Sequence, residues 1–293
     1  MSSQLDARRQ AGAGAGFMVL GAVMIQWSAA LVTGVFGRLG PSATSAWRFL
    51  LGAVVLVAVT RPRVRQWTRH QWIGALALGL STAFMNQCFY QAIARIPLGS
   101  AVALEFMGPF VVAALGQRTM RHYALVALAG LGVVALTRPG SGLTAWGVIF
   151  ALGSGLGWGA YVFSSHRVGG DTKGFEGLAV SMSIAALVTL PWSLGVSARV
   201  VEHPATLARI ALVAVMSTVI GFGAELQGLR RVRPSTAAVL LATDPAVAFF
   251  IGWLLLGQTV HAFDYVGVSC VILASVGVTY DSTRAVGIAE LAQ

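Results

Sequence analysis

Charged residues are scarce in this sequence, and their scarcity argues against the common soluble classes. Asp, Glu, Lys and Arg make up 10% of the 293 residues, against roughly 25% in an ordinary soluble domain. A water-soluble fold of this length would lack the ionic groups that cover its surface. Cysteine is also rare. Cys88 and Cys270 lie in apolar blocks with no CxxC or Cys/His spacing, which argues against a disulfide framework or a zinc site.

Apolar residues take the place of the missing charge. Hydrophobic residue types form 56% of the chain, and the mean hydropathy is +0.76. They recur in blocks about as long as a bilayer is thick. The sequence therefore predicts an all-α membrane protein with ten transmembrane helices, at residues 14–37, 41–60, 72–94, 97–116, 123–137, 144–165, 175–196, 207–229, 234–257 and 265–280.

The first apolar block follows Arg8 and Arg9, as the apolar part of a signal peptide would. The small residues that a cleavage site needs, such as Ala11 and Ala13, come before the apolar stretch and not after it. We therefore expect a retained first helix behind a short, mobile tail at residues 1–13, with a second tail at residues 282–293.

Basic residues are concentrated in alternate loops, which predicts the orientation of the chain. Lys and Arg near span ends stay on the cytoplasmic side, and a cytoplasmic N-terminus gives 14 inside against five outside. The inside set is Arg8, Arg9, Arg61, Arg63, Arg65, Arg69, Arg118, Arg121, Arg167, Lys173, Arg230, Arg231, Arg233 and Arg284, and the outside set is Arg38, Arg95, Arg138, Arg199 and Arg209. Both termini are then cytoplasmic. Short clusters of this kind do not form the basic face that a nucleic-acid partner requires, despite a net charge of +10.

Two segments of the chain resemble each other. Six residues recur 136 positions later, so predicted spans three and four match spans eight and nine. Spans that are five apart run in opposite directions, so the second copy is inverted, as in many secondary transporters. We expect five-helix repeats at residues 14–138 and 139–281, with chance similarity between two apolar segments as the alternative. The pairs are Gln91 with Gln227, Arg95 with Arg231, Ala101 with Ala237, Leu104 with Leu240, Pro109 with Pro245, and Val111 with Val247.

Four charged residues lie inside predicted spans and away from the span ends, namely Arg48, Glu105, Glu225 and Asp244. A charge at the centre of a helix in the bilayer costs about 2.5–3.5 kcal/mol, so these residues are the first functional candidates. Helical rise places Arg48 and Glu105 at a similar depth, where they can pair. Glu225 and Asp244 can share the inner half of a cavity. The alternative for the acids is a structural carboxylate satisfied by a neighbouring helix.

Prolines stand beside two of these acids. Pro109 and Pro245 predict breaks in spans four and nine, because proline removes a backbone donor and clashes with the carbonyl four residues back. Irregular backbone at this depth is tolerated only where protein encloses it or water reaches it. A polar path between spans four and nine follows as a hypothesis.

Polar and aromatic side chains of other spans can complete such a path. Asn86 and Tyr90 are about one turn apart in span three, as are Trp158 and Tyr161 in span six. Gln26 and Trp27 stand mid-span in the first helix. Together they suit a small polar solute. The alternative for each aromatic residue is ordinary packing. We expect no metal and no cofactor.

The segment at residues 96–109 reads IPLGSAVALEFMGP and closely resembles the signature segment of bacterial threonine and homoserine exporters. Those exporters belong to the EamA-type branch of the drug/metabolite transporter superfamily. Arg48, the stretch from Trp158 to Tyr161, Glu225 and the Asp244-Pro245-Ala246 stretch also look like positions of that family. The resemblance thus extends over nearly the whole chain.

The resemblance implies ten helices in two inverted five-helix halves, around a cavity formed mainly by spans one, three, four, six, eight and nine. Most candidate residues fall on those spans, and Arg48 is the exception. Two departures bear on substrate choice and ion coupling. Asp244 stands where a glutamate is expected, and Leu256-Gly257-Gln258 replaces an acidic ending after the glycine.

The expected function is export of small amino acids by alternating access across the bacterial cytoplasmic membrane. The solute ammonium is expected near Glu105, Glu225 or Asp244, and its carboxylate near backbone donors, Asn86 or Arg48. Because a carboxylate in an apolar environment takes up a proton more readily, one of the three acids can also carry protons. Export of other metabolites or cationic drugs and a membrane scaffold remain alternatives, and the oligomeric state stays open. An enzyme is not expected, since the sequence has no DDxxD, HExxH or GxSxG motif.

Overall fold

The structure, a computed structural model, describes residues 2–108, 120–136, 143–169, 175–229, 231–232, 236, 240–259 and 261–291. These residues are predominantly helical and contain no β-strand. Among them, four helices are long and apolar enough to cross a membrane: Gly12–Thr33, Pro41–Thr60, Glu176–Leu194 and Pro204–Leu229. The prediction of an all-α membrane protein is confirmed at this level, and the ten spans in inverted repeats stay a prediction.

The principal helices are numbered here in chain order. They are α1 (Ser2–Thr33), α2 (Pro41–Thr60), α3 (Arg69–Ile93), α4 (Leu98–Glu105), α5 (Met120–Leu136), α6 (Ala145–Gly169), α7 (Glu176–Leu194), α8 (Pro204–Leu229), α9 (Asp244–Leu256) and α10 (Ala262–Leu291). Shorter helices at Phe36–Leu39, Val64–Gln66 and Ser197–Val201 lie in connections.

Local sequence signals set the beginnings of α2 and α3. Pro41 opens α2 directly after Gly40, whose φ of 78° is a backbone conformation that favours glycine. Before α3, the Thr68 hydroxyl accepts a hydrogen bond from the Gln71 backbone, and the Gln71 side chain accepts one from the Thr68 backbone. This reciprocal cap satisfies two backbone donors that a helix start leaves unpaired.

Helix α8 changes its winding midway. Its first part, Pro204–Ala214, continues into a π-helical segment at Val215–Gly221 before α-helix resumes at Phe222–Leu229. Such wide turns are rare inside helices and are frequent at functional sites. This one holds Ser217, whose side chain points to the centre of the bundle.

The helices pack in pairs around that centre. Helix α1 packs along α8, α3 along α6, α2 along α7, α5 along α10, and α4 against α9. The largest apolar cluster joins α1, α3, α4, α6, α8 and α9 and includes the buried side chains Val32, Leu98, Leu104 and Val213. It fixes the positions of the helices that line the site described below.

The first and last helices are longer than the predicted spans. Helix α1 begins at Ser2 and so includes most of the segment assigned to a tail, and α10 continues to Leu291. The difference has a simple cause, since a span ends where the apolar run ends, whereas a helix can continue into water beyond the bilayer.

Glycines of α6 allow unusually close helix contacts. A Cβ added at Gly157 would lie 2.8 Å from Met85 Cα, and one added at Gly155 would lie 2.6 Å from the Glu105 carbonyl oxygen. Small residues at such crossings let two backbones approach within the membrane. One turn away, a Cβ added at Gly153 would meet only the Cys88 side chain, 3.4 Å from its sulfur, which is an ordinary contact.

This difference predicts that Gly157→Ala destabilises the protein and that Gly153→Ala does not. The added methyl at residue 157 meets backbone that cannot rotate away, and overpacking of this kind costs about 1–3 kcal/mol. The midpoint of thermal unfolding in detergent tests it, because both variants make the same chemical change on one helix. Equal midpoints for the two variants would contradict the close packing of α3 on α6.

Candidate functional site

A cavity of about 80 Å³ lies in the centre of the bundle, between α1, α3, α4, α6, α8 and α9, with one side chain from α2. Its lining combines apolar, amide, hydroxyl and charged groups. The lining residues are Ile25, Gln26, Ser28, Ala29, Arg48, Met85, Asn86, Phe89, Tyr90, Val102, Glu105, Trp158, Tyr161, Ser217, Phe222, Glu225 and Asp244.

The cavity brings together most of the residues that the sequence suggested. Those that line it are Arg48, Asn86, Tyr90, Glu105, Trp158, Tyr161, Glu225 and Asp244. They come from six helices that are distant in sequence, so only the fold makes them one site. That they bind a solute stays a prediction.

Trp27 is the candidate that the structure leaves out of the cavity. Its side chain is 37% exposed on the outside of α1, whereas the preceding Gln26 is 4% exposed and lines the cavity. Successive residues of a helix point about 100° apart, so only one of two neighbours can face the centre. Trp27 therefore does not line this cavity, and Gln26 is the residue of that pair that does.

Arg48 is held by polar contacts with two other helices. It is 2% exposed, its Nη1 donates to Ser217 Oγ of α8 at 2.9 Å, and its Nη2 donates to Asn86 Oδ1 of α3 at 2.5 Å. Asn86 is fixed in turn because its Nδ2 donates to the Thr82 carbonyl. The guanidinium also lies 5.5 Å from the centre of the Tyr90 ring, a favourable cation–π distance.

The predicted pairing of Arg48 with Glu105 is not formed. Arg48 bonds to neutral partners, and Glu105 accepts a hydrogen bond from Ser154 of α6. Similar depth in the membrane, from which the pairing was inferred, does not fix the direction in which two side chains point around their helices. The cavity therefore contains a guanidinium and a carboxyl group that do not contact each other directly.

Ser154 links Glu105 to the backbone of α3. Its Oγ lies within hydrogen-bond distance of a Glu105 carboxylate oxygen and 2.9 Å from the Met85 carbonyl oxygen. A serine hydroxyl has one proton to donate and two lone pairs with which to accept. It can donate to an ionised Glu105, or accept from a protonated Glu105 while it donates to Met85.

Glu225 and Asp244 line the cavity from half-buried positions. Glu225 follows the π-helical segment of α8 by one turn. Asp244 begins α9, where a carboxylate interacts favourably with the positive end of the helix dipole. Among the described residues, no three metal-binding side chains come close enough to hold an ion.

Of the two prolines at the predicted helix breaks, Pro245 lies among the described residues and Pro109 does not. Pro245 is buried in the first turn of α9, a position where proline costs no hydrogen bond, and residues 242–243 before it form a turn. The turn ends at Asp244 and exposes its side chain to the cavity. Pro109 lies outside the described residues, and α4 ends at Glu105 just before it.

Ser217 lines the cavity and Ser154 bonds to Glu105, and the sequence marked neither serine as a candidate. Gln26 also lines the cavity, and its Oε1 is buried without a hydrogen-bond partner among the described residues, as is Nε of Arg48. An unpaired buried acceptor and donor in one cavity are costly unless a ligand or water satisfies them. Isolated serines are frequent in membrane helices, which explains why Ser154 and Ser217 gave no signal.

Comparison with known proteins connects this geometry to a family. The pattern of the EamA-like transporter family matches residues 145–280. The threonine/homoserine exporter RhtA of Escherichia coli (strain K12) is 32% identical over 270 residues, which cover 91% of each chain. The exporter of the same name from Salmonella typhimurium (strain LT2) is 32% identical over 263 residues, 89% of each chain.

More distant similarities also extend over most of the chain. The uncharacterized transporter YwfM of Bacillus subtilis (strain 168) is 23% identical over 80% of this chain and 82% of its own. A crystal structure of another protein shares the fold, with a TM-score of 0.59, 16% identity, and coverage of 90% of this chain and 98% of that chain. The chain therefore belongs to the EamA-like transporter family, within the drug/metabolite transporter superfamily, and is a multi-pass membrane protein.

Proposed function

We propose that this protein is a secondary transporter that exports small amino acids similar to threonine and homoserine by alternating access. The observation that carries the proposal is the central cavity, which holds three carboxylates, one arginine and two unpaired buried polar atoms within an apolar bundle. Ionisable groups at such depth mark substrate or ion pathways by default. The threonine/homoserine exporters that are 32% identical to this chain suggest the substrate class.

The size of the cavity supports a small solute. A volume of about 80 Å³ corresponds to about five to eight water-sized groups, if each needs roughly 10–15 Å³. Threonine and homoserine have eight non-hydrogen atoms each and are of this size. A large drug would require the helices to separate.

The charges support a zwitterion. In our proposal the solute ammonium lies near Glu225, Asp244 or Glu105 and also satisfies Gln26 Oε1, while the solute carboxylate accepts from Nε of Arg48. Tyr90, Trp158 and Tyr161 enclose the solute between these poles. Arg48 is already held by Asn86 and Ser217, so its charge is positioned before the solute arrives, which reduces the entropic cost of binding.

The proposed architecture is that of ten helices in two inverted halves, residues 14–138 and 139–281, with both termini in the bacterial cytoplasm. The packing of α3 against α6 and of α8 against α1 supports it. In two five-helix repeats α8 corresponds to α3 and α6 to α1, so the two pairs are equivalent. A site between two such halves can open to either side of the membrane in turn.

We also propose that transport is coupled to protons, with Glu105, Glu225 and Asp244 as the candidate proton carriers. The contacts of Ser154 favour Glu105 among them. The serine hydroxyl can serve both protonation states of that carboxyl group by rotation, as described above. Glu105 can therefore keep a hydrogen bond with Ser154 in both protonation states.

A panel of solutes in counterflow tests the substrate class. We expect proteoliposomes that contain the purified protein and unlabelled threonine to accumulate labelled threonine, with homoserine competing and tryptophan failing to compete because of its size. The double variant Glu105→Gln/Asp244→Asn should abolish this flux. Flux of cationic drugs without flux of amino acids would contradict the proposed substrate class. If cells that carry the double variant behaved like cells with the unchanged protein, a scaffold role would be favoured.

Glu105→Gln should separate transport from its coupling. The amide keeps the volume and an acceptor for Ser154 but has no proton to release, so counterflow should persist while accumulation driven by a pH gradient falls to the level seen without a gradient. Glu202→Gln makes the same change at an exposed position and should preserve the response. A pH-gradient response that survives in Glu105→Gln would assign the coupling to another group.

Arg48→Lys should weaken recognition of the solute carboxylate. A lysine ammonium cannot keep the two-pronged contact with Asn86 and Ser217, so the charge loses its position. We expect threonine to bind about tenfold or more weakly, consistent with the loss of one charge-assisted hydrogen bond. Threoninol, which has no carboxylate, should bind equally to both forms, and binding is read from solute-dependent thermal stabilisation. An equal loss for both solutes would indicate a purely structural role.

A further inference from the structure

An arginine at the end of α3 connects this helix to α6. Arg95 Nη1 donates to the Gln91 carbonyl at 2.7 Å and to Gln91 Oε1 at 2.5 Å. Its guanidinium carbon lies 5.2 Å from the centre of the Phe150 ring on α6. We call Gln91, Arg95 and Phe150 the outer latch, because the predicted topology places Arg95 at the outer face.

The same arrangement occurs where α8 meets α1. Arg231 Nη1 donates to the Gln227 carbonyl at 2.7 Å and to Gln227 Oε1 at 2.6 Å. Its guanidinium carbon lies 5.1 Å from the centre of the Phe17 ring on α1. We call Gln227, Arg231 and Phe17 the inner latch, because the predicted topology places Arg231 at the cytoplasmic face.

Glycine gives both latches the same close backbone contact. A Cβ added at Gly147, one turn before Phe150, would lie 3.2 Å from Arg95 Cβ. A Cβ added at Gly14, one turn before Phe17, would lie 2.8 Å from Arg231 Cβ. Each latch is therefore a tight contact, which must separate if the two helix ends move apart.

The spacing in the sequence relates one latch to the other. The Gln and Arg positions differ by 136 residues, and the Gly and Phe positions differ by 133 residues. Each latch joins a helix of the first predicted repeat to a helix of the second. A local helix cap would explain the bonds from arginine to glutamine, but it would not explain why a phenylalanine of the other half lies against the guanidinium in both places.

The two latches stand at opposite ends of the cavity. Tyr90, which lines the cavity, is five residues or about 8 Å along the chain from Arg95 at helical rise. Glu225 also lines it and is six residues or about 9 Å from Arg231. Separation of the helices at either latch would open a path from that end to the solute.

We propose that the outer and inner latches are the two gates of the transporter and that transport requires each to release while the other holds. The proposal rests on the alternating-access function proposed above and identifies the residues that control it. Arg95 and Arg231 act as positioning residues, since they set which side of the cavity is open and do not themselves contact the solute. Because the two gates are made of the same kinds of contacts, the states open to either side of the membrane can have similar free energies.

Accessibility of a cavity thiol from each side of the membrane tests the proposal. In a Cys88→Ala/Cys270→Ala background, Ala29→Cys places a reporter thiol in the cavity lining, and an impermeant maleimide is applied to right-side-out or inside-out vesicles. Phe150→Ala should raise labelling from outside relative to inside, and Phe17→Ala should do the opposite. Loss of one cation–π contact predicts a shift of about two- to fivefold in the ratio.

The phenylalanine positions are chosen because their substitution leaves the arginine count, and hence the orientation, unchanged. Phe150→Leu and Phe17→Leu keep an apolar side chain and should produce smaller shifts in the same directions, which covers the case in which an alanine variant fails to fold. Phe84→Ala removes a ring that is 53% exposed on α3 and should leave the ratio unchanged.

The ratio of labelling from the two sides of the membrane can support or overturn the proposal. Shifts of opposite sign for the two latches support the proposal, because general destabilisation would move both ratios the same way. Shifts of the same sign, or no shift in variants that fold, overturn it. Labelling needs no solute, so opposite shifts without amino-acid flux would reject only the substrate class, and flux without shifts would reject only the latches.

Discussion

The site depends on one constraint, which is that a charge inside an apolar helical bundle must be held by polar groups. Arg48 is almost completely buried, and its two amino groups bond to Asn86 and Ser217 on two other helices. Neither partner carries a charge, so the arginine is fixed in direction while its positive charge stays available. A buried ion pair with Glu105 would have satisfied both residues and left little for a solute, because each charge would already be neutralised.

Irregular helix geometry supplies the polar groups that this arrangement requires. The π-helical segment of α8 carries Ser217 to Arg48, the turn before α9 carries Asp244 to the cavity, and the end of α4 presents Glu105 to Ser154. Regular transmembrane helices satisfy all their backbone groups internally, and a departure from regularity must be enclosed by protein or reached by water. The three departures meet around one cavity, which gives each of them a polar environment.

Much of the fold could be predicted because the membrane imposes a simple rule on composition. Apolar blocks of bilayer length gave bounds close to those of α2, α3, α5, α6, α7 and α8. Helices α1 and α10 extend beyond their predicted spans because a helix can continue into water, and parts of the predicted spans four and nine lie outside the described residues. The buried charges also identified the site, since a charge at that depth requires a reason. What the sequence could not give was direction around each helix. Trp27 was expected at the site, and it lies outside while Gln26 lies inside.

Gln258 is one of the two departures from the family resemblance, and the structure shows which contact it makes. This residue stands where the related exporters are expected to have an acidic ending, and its Oε1 accepts a hydrogen bond from the Leu98 backbone at the start of α4. A carboxylate could accept the same bond, so the amide preserves the contact between the α9–α10 connection and the α3–α4 connection. Unlike a carboxylate, the amide carries no negative charge at Leu98, which follows Arg95 by three residues in the chain. The contacts of Arg95 in the outer latch are those with Gln91 and Phe150.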